Sequence, residues 1–249
     1  MDHDAVVAKI MERGAKLGDL ARDVLTSPQA AWWFGSLDRT QQLWLSRDGS
    51  TPAPDRLNVA KGPPTPWERY AQKPAQGLYT STLVDGTSSM LAALVEGVGD
   101  LAAAFQVRPL ACSRLEASPT ARVFKVDGPQ AWHELCVRYP ARTEDGLRKR
   151  LLARVRLLHR YPAIGEDGRL VPDWSAVAQG WDAVHLTLGG LLTAEQVRIE
   201  SPAGWTQHQG WECEQTVWLR WCFITAVRLP DVEQYSLSPL NLSSLTWTL

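Results

Sequence analysis

The chain is short of cysteine, of long apolar runs and of net charge, and each shortage closes off a class of protein. Its four cysteines, Cys112, Cys136, Cys213 and Cys222, stand far apart and form no CxxC pair. Neither a disulfide scaffold nor a zinc framework is therefore expected, and a buried free thiol is the plain reading of each. No window approaches the ~18 consecutive apolar residues that a membrane-spanning helix needs. A formal net charge of −1 and a pI near 6.5 provide no global field for nucleic acid or an anionic membrane. The opening stretch MDHDAVVAKIMERG has acids and a helical pattern where a signal peptide has a basic start and an apolar core. The expectation is a cytoplasmic protein with no membrane partner. Several catalytic motifs are lacking as well: GxSxG, the P-loop, GxGxxG after a strand, and HExxH. The four residues His185, His208, Cys213 and Glu212 can be drawn together as metal ligands, but no ligand spacing supports them.

What is present is an ordinary globular composition, 45% apolar and 21% charged over 249 residues, with an unusual twelve tryptophans. Most of these belong in a core, since each ring can bury ~150–250 Å²; others beside polar loops could wall a cleft or an interface. Residues 5 to 26 keep one apolar face and predict an amphipathic helix, stopped at Ser27-Pro28. Leu43 to Ser46 reads as a short strand ending at the turn Asp48-Gly49. Six prolines between 51 and 76 mark a long loop. After the turn Asp85-Gly86, Thr87 is a suitable N-cap for a helix carrying Met90, Leu91, Leu94, Val98, Leu101 and Phe105 on one stripe. ARVFKV (121 to 126) alternates as a strand, and Pro129 opens a helix that Pro140 ends. Residues 144 to 160 form a basic helix, read as a solvated face or a docking surface. PDWSAVAQGWDAVHLTLGG is a short helix leading into a strand, 183 to 188, closed by glycines, and ECEQTVWLRWCFITAVRL is one long strand or a strand pair. The class is α+β in one domain: an N-terminal helical segment (1–30), a core (40–229) and a C-terminal tail (230–249).

One stretch, GLYTST at 77 to 82, places three hydroxyls in succession on a strand that leads to a helix. On a strand held between apolar layers such groups need a ligand or a hydrogen-bond partner. Alternation puts Tyr79 and Ser81 on one side and Leu78, Thr80 and Thr82 on the other.

Taken in order, LWLSRDG, GLYTST and GWECEQTVWL match a three-part pattern: an early strand with a basic residue, a hydroxyl strand before a helix, and a late glutamate. At these points the chain resembles the ADP-ribosyltransferase superfamily, in particular a toxin-like actinobacterial branch, over roughly residues 40 to 225. WSAVAQGWDAVHLTLGG is similar to a helix-strand step common in that family. The resemblance implies a split β-sheet core with flanking helices, and NAD as the substrate. It puts Arg47 on the NAD phosphates, Tyr79 against the nicotinamide, and Ser81 as the serine that orients the catalytic glutamate, Glu214. Thr80, Glu212 (the first member of the E-x-E pair) and His185 complete the implied binding set. Breaking the nicotinamide-ribose bond develops an oxocarbenium-like cation, which a fixed carboxylate stabilises. Arginine suits a pyrophosphate because its planar fork donates to two oxygens at once. The ADP-ribose would go to a macromolecular acceptor, protein or nucleic acid, or to water, and a cognate antitoxin or immunity protein would be a partner.

Two bland readings stand beside this one. Ser81 can bond backbone, and Glu214 or Glu212 can be exposed carboxylates. The whole chain can also be a non-catalytic immunity, phage or accessory protein whose tryptophans form an interface. The enzyme reading expects Tyr79, Ser81 and Glu214 to line one cleft, the largest pocket with convergent polar groups.

Overall fold

The structure is a computed structural model, and it describes residues 27–46, 48–57, 72–74, 77–95, 110–141 and 168–232. Arg47, the helix expected over 5 to 26, the basic helix of 144 to 160 and most of the C-terminal tail lie outside the described residues. The chain divides into two compact units, Met1–Ser36 and Leu37–Leu249. In the first, the described element is a 3-10 turn, Pro28–Phe34, with proline at its start.

The second unit is α+β, built on a large mixed sheet with few helices. Its strands are β1 (Gln42–Ser46), β2 (Leu78–Thr82), β3 (Leu110–Ala117), β4 (Val123–Val126), β5 (Ala183–Leu186), β6 (Arg198–Ser201), β7 (Gly204–Gln207), β8 (Gln215–Trp218) and β9 (Phe223–Val232). Seven of them form one sheet in the order β4-β5-β8-β2-β1-β3-β9, and β6 and β7 pair separately. Within the large sheet β4 and β5 run parallel, and the other neighbours are antiparallel. The late segment expected as a strand or strand pair is two strands that do not pair with each other. Trp218 ends β8 in the middle of the sheet, and β9 returns to its edge beside β3.

The helices are α1 (Ser89–Val95), α2 (Pro129–Arg138), α3 (Trp174–Gly180) and α4 (Leu188–Ala194). α1 begins later than the Thr87 cap predicts. Thr87 is consumed in a tight turn, bridged to Val84 around Asp85 and Gly86, both at positive φ. The cap is Ser88 instead, whose hydroxyl accepts from the Leu91 N–H at 3.2 Å. α2 starts at Pro129 as predicted, and α3 is capped by Asp173, which accepts from the N–H groups of Ser175 and Ala176.

Apolar alternation explains the layers. One sheet face packs Trp44, Leu78, Leu115, Trp218 and Phe223 together. The other carries two clusters: Phe124, Val184 and Val217 meet Trp132, Trp174 and Trp211 beneath α2 and α3, while Leu43, Leu45 and Cys112 meet Met90 and Leu94 of α1. Tyr79 packs against both. The glycines after β5 do more than close a strand, because they start α4. A Cβ on Gly190 would come within 2.3 Å of the Val126 carbonyl oxygen, so only glycine lets this helix sit against the end of β4. Among the described residues no helix is long and apolar enough to cross a membrane.

Candidate functional site

β2 and β8 are neighbours, and their register pairs Thr80 with Thr216. Two residues further on, this alignment carries Glu214 to a point opposite Thr82, where β8 has not yet begun. The Glu214 side chain takes over there as the acceptor. Its Oε2 receives the Ser81 hydroxyl at 2.7 Å and the Thr82 backbone N–H at 2.9 Å, and its Oε1 receives the Thr82 hydroxyl at 2.8 Å. Ser89, in the first turn of α1, donates more distantly at 3.4 Å. Glu214 is 1% exposed and Ser81 fully buried.

A second set of bonds feeds the same carboxylate from the opposite sheet face. Trp218 Nε1 donates to the Thr80 hydroxyl at 2.8 Å, and Thr80 donates to Gln42 Oε1 at 2.6 Å. Gln42 Nε2 donates to the Thr82 hydroxyl at 3.3 Å, which in turn donates to Glu214. The chain runs in one direction because an indole N–H can only donate, and the Gln42 amide accepts at its oxygen and donates at its nitrogen. This is why the strand carries three hydroxyls in succession: each bridges a donor to an acceptor inside a dry sheet, where an unpaired polar group would cost about 1–3 kcal/mol.

Burial pushes the Glu214 carboxyl above its ordinary pKa, while the hydrogen bonds from Ser81, Thr82 and Ser89 pull it down. His185 Nδ1 lies 3.6 Å from Glu214 Oε1 and 2.9 Å from the Thr216 hydroxyl. Burial, with the Lys125 charge adding to it, drives the His185 imidazole down to about 4. At neutral pH it is uncharged, so its approach to Glu214 is no ion pair.

The two groups act oppositely on stability. His185 contributes stability that is fully present above its ordinary value of 6.5 and is lost as pH falls through about 4. That shift corresponds to roughly 3 kcal/mol. Glu214 contributes below its ordinary value of 4.5 and loses that contribution as pH rises through its raised pKa. Replacing His185 by glutamine is expected to shrink the difference in urea midpoint between pH 7 and pH 4. An unchanged difference would show that another group dominates the acid limb.

Of the residues expected at a dinucleotide site, the structure brings Ser81 and Glu214 into contact and places His185 beside them. Three expectations are not met by the geometry. Thr80 is fully buried on the reverse face, its hydroxyl engaged by Gln42 and Trp218. Tyr79 shares the Ser81 face, but its hydroxyl donates to the Pro74 carbonyl and its ring wedges between two clusters. Ser81 and Glu214 do not line an open cleft, because α1 seats Ser89 and Met90 over them, the Met90 N–H reaching the Ser81 hydroxyl at 3.4 Å. Glu212 is half-buried two residues upstream. Gln42 and Ser89 were not foreseen. A glutamine buried in the apolar run QLWLS was the available signal for the first.

The cysteines are free thiols, three of them buried, and burial pushes Cys213 up to about 12. Among the described residues no group of three or more His, Cys, Asp and Glu could hold a metal ion. His208 instead pairs with Glu195 at 3.0 Å. Comparison of the chain with protein-family models, curated proteins and solved structures finds no match.

Proposed function

We propose that the chain is an NAD-cleaving enzyme of the ADP-ribosyltransferase type. The observation that carries this reading is the 2.7 Å hydrogen bond from Ser81 to Glu214, residues 133 positions apart in sequence. A hydroxyl strand and a late glutamate could lie anywhere on an α+β fold, and here they touch. In the reaction the bond from nicotinamide nitrogen to ribose C1′ breaks, and its electron pair leaves with nicotinamide. The acceptor, water or a macromolecular nucleophile, supplies the pair for the new bond at C1′ and gives up a proton. Glu214 stabilises the developing oxocarbenium charge, and Ser81 fixes the angle of the carboxylate. The reading assigns the NAD phosphates to Arg47. It also requires the first turn of α1 to swing away, and Ser89, the most distant donor to the carboxylate, is where the cover is weakest.

The rival reading of a tryptophan interface rests on fewer rings, since Trp44, Trp132, Trp174, Trp205, Trp211 and Trp218 are buried while Trp32 is exposed. The test is nicotinamide release from NAD by purified protein. Wild type is expected to release it, Glu214→Gln to fall by about 100-fold or more, and Ser81→Ala by about 10-fold. Folding of each variant is checked by near-UV circular dichroism. No release by the wild type, with water and with cell extract as acceptors, overturns the reading.

A further inference from the structure

We propose that a second site, separate from Glu214, binds an organic monocarboxylate with an apolar body, such as a medium-chain fatty acid, with Arg114 holding the carboxylate. A pocket of about 630 Å³ opens between β1, β3, β9, α1 and the turn before α1. That lies within the roughly 300–1,000 Å³ of small-molecule sites. Leu43, Leu91, Cys112, Leu229 and Val232 supply apolar walls, and neither Ser81 nor Glu214 is among the lining residues.

The polar feature of the pocket is an arginine in an unusual place. Arg114 sits mid-strand on β3, flanked in register by Leu43 of β1 and Val227 of β9. By strand alternation it shares the face of Cys112, which packs with Leu43 and α1. A guanidinium has five N–H donors and no acceptor, yet among the described residues Arg114 has no hydrogen-bond or ion-pair partner. Arg114 is half-buried and borders the pocket, where a ligand anion can reach its guanidinium. The arrangement favours one planar monoanion, since a carboxylate presents two oxygens that match one guanidinium fork. A phosphate dianion would want a second cation, and the other charged lining residue is Asp85, exposed in the turn before α1 and of the wrong sign. The apolar walls then take the body of the ligand. The inference stands independently of the NAD reading.

The test is calorimetric titration of octanoate and of 1-octanol into the full chain. Saturable octanoate binding is expected, with octanol at least about 10-fold weaker. Arg114→Gln should weaken octanoate by about 10-fold or more and leave octanol unchanged, as loss of a charge-assisted pair requires. Asp85→Asn should tighten octanoate severalfold by removing a repelling charge. Asparagine tolerates the φ of +51° at this position, so the turn survives. Opposite signs for the two variants are not expected of a merely structural arginine. Absence of saturable octanoate binding, equal affinity for acid and alcohol, or an Arg114→Gln variant that binds octanoate as wild type does would each overturn the proposal. If Arg114→Gln fails to fold, the acid-alcohol contrast and the Asp85→Asn shift decide.

Discussion

Replacing Glu214 by alanine is expected to destabilise the chain by about 3 kcal/mol or more at neutral pH. The carboxylate accepts from the Ser81 hydroxyl, the Thr82 hydroxyl and the Thr82 backbone N–H, all inside a dry region of the sheet. Removing it leaves those donors facing a cavity. Each buried orphan costs about 1–3 kcal/mol, and relief of the carboxylate's own desolvation offsets only part of the sum. The hydroxyls can turn towards other acceptors, but the Thr82 N–H cannot rotate, so its loss is the part that persists. Urea unfolding of Glu214→Ala, Ser81→Ala and the double variant separates the terms. The double variant should lose about 1–2 kcal/mol less than the sum of the singles, because Ser81→Ala removes one of the donors that Glu214→Ala would strand. Strict additivity would mean that the 2.7 Å bond carries no coupling, and the positioning role assigned to Ser81 would fall with it.

The pairing of hydroxyl strand and late acid was legible because it rests on a local rule: polar groups on a buried strand must find partners. Which partners they find depends on register, and register is a tertiary fact. Gln41 and Gln42 are adjacent in TQQLWL, and nothing local says which faces inward. Only the pairing of Gln42 with Thr82 makes it the link between Thr80 and Thr82. β3 is not legible in the sequence for a related reason. Its sequence LACSRLEA does not alternate cleanly, since most of it is buried between two neighbouring strands whatever face a residue takes. In LGGLLTA the glycines read as punctuation after a strand, whereas they permit a helix to approach the Val126 carbonyl. The elements whose type is legible in the sequence, β1, β2, β4, β5, β8, β9, α1, α2 and α3, are those with their own periodicity or caps, such as Pro129 and Asp173.

Trp218 is the residue at which the polar chain and the apolar core meet, and Trp218→Ala is expected to cost about 3–5 kcal/mol. The side chain is fully buried, packs edge-on against Phe223 with ring centroids 4.7 Å apart, and stands opposite both Leu78 and Ala183 in register. Truncation therefore opens a void between three strands at the middle of the sheet, where neighbouring strands cannot collapse without breaking their ladders. The indole N–H makes a separate and smaller contribution through its 2.8 Å bond to Thr80. Trp218→Phe keeps much of the volume and removes that donor, and a loss of about 1–2 kcal/mol is expected. Thr80 still donates to Gln42 in that variant, so the remainder of the chain to Glu214 stays connected. Chemical denaturation of the two variants thus weighs packing against the hydrogen bond. A phenylalanine variant as unstable as the alanine one would mean that the polar chain, and not the bulk of the ring, holds β8 against β2.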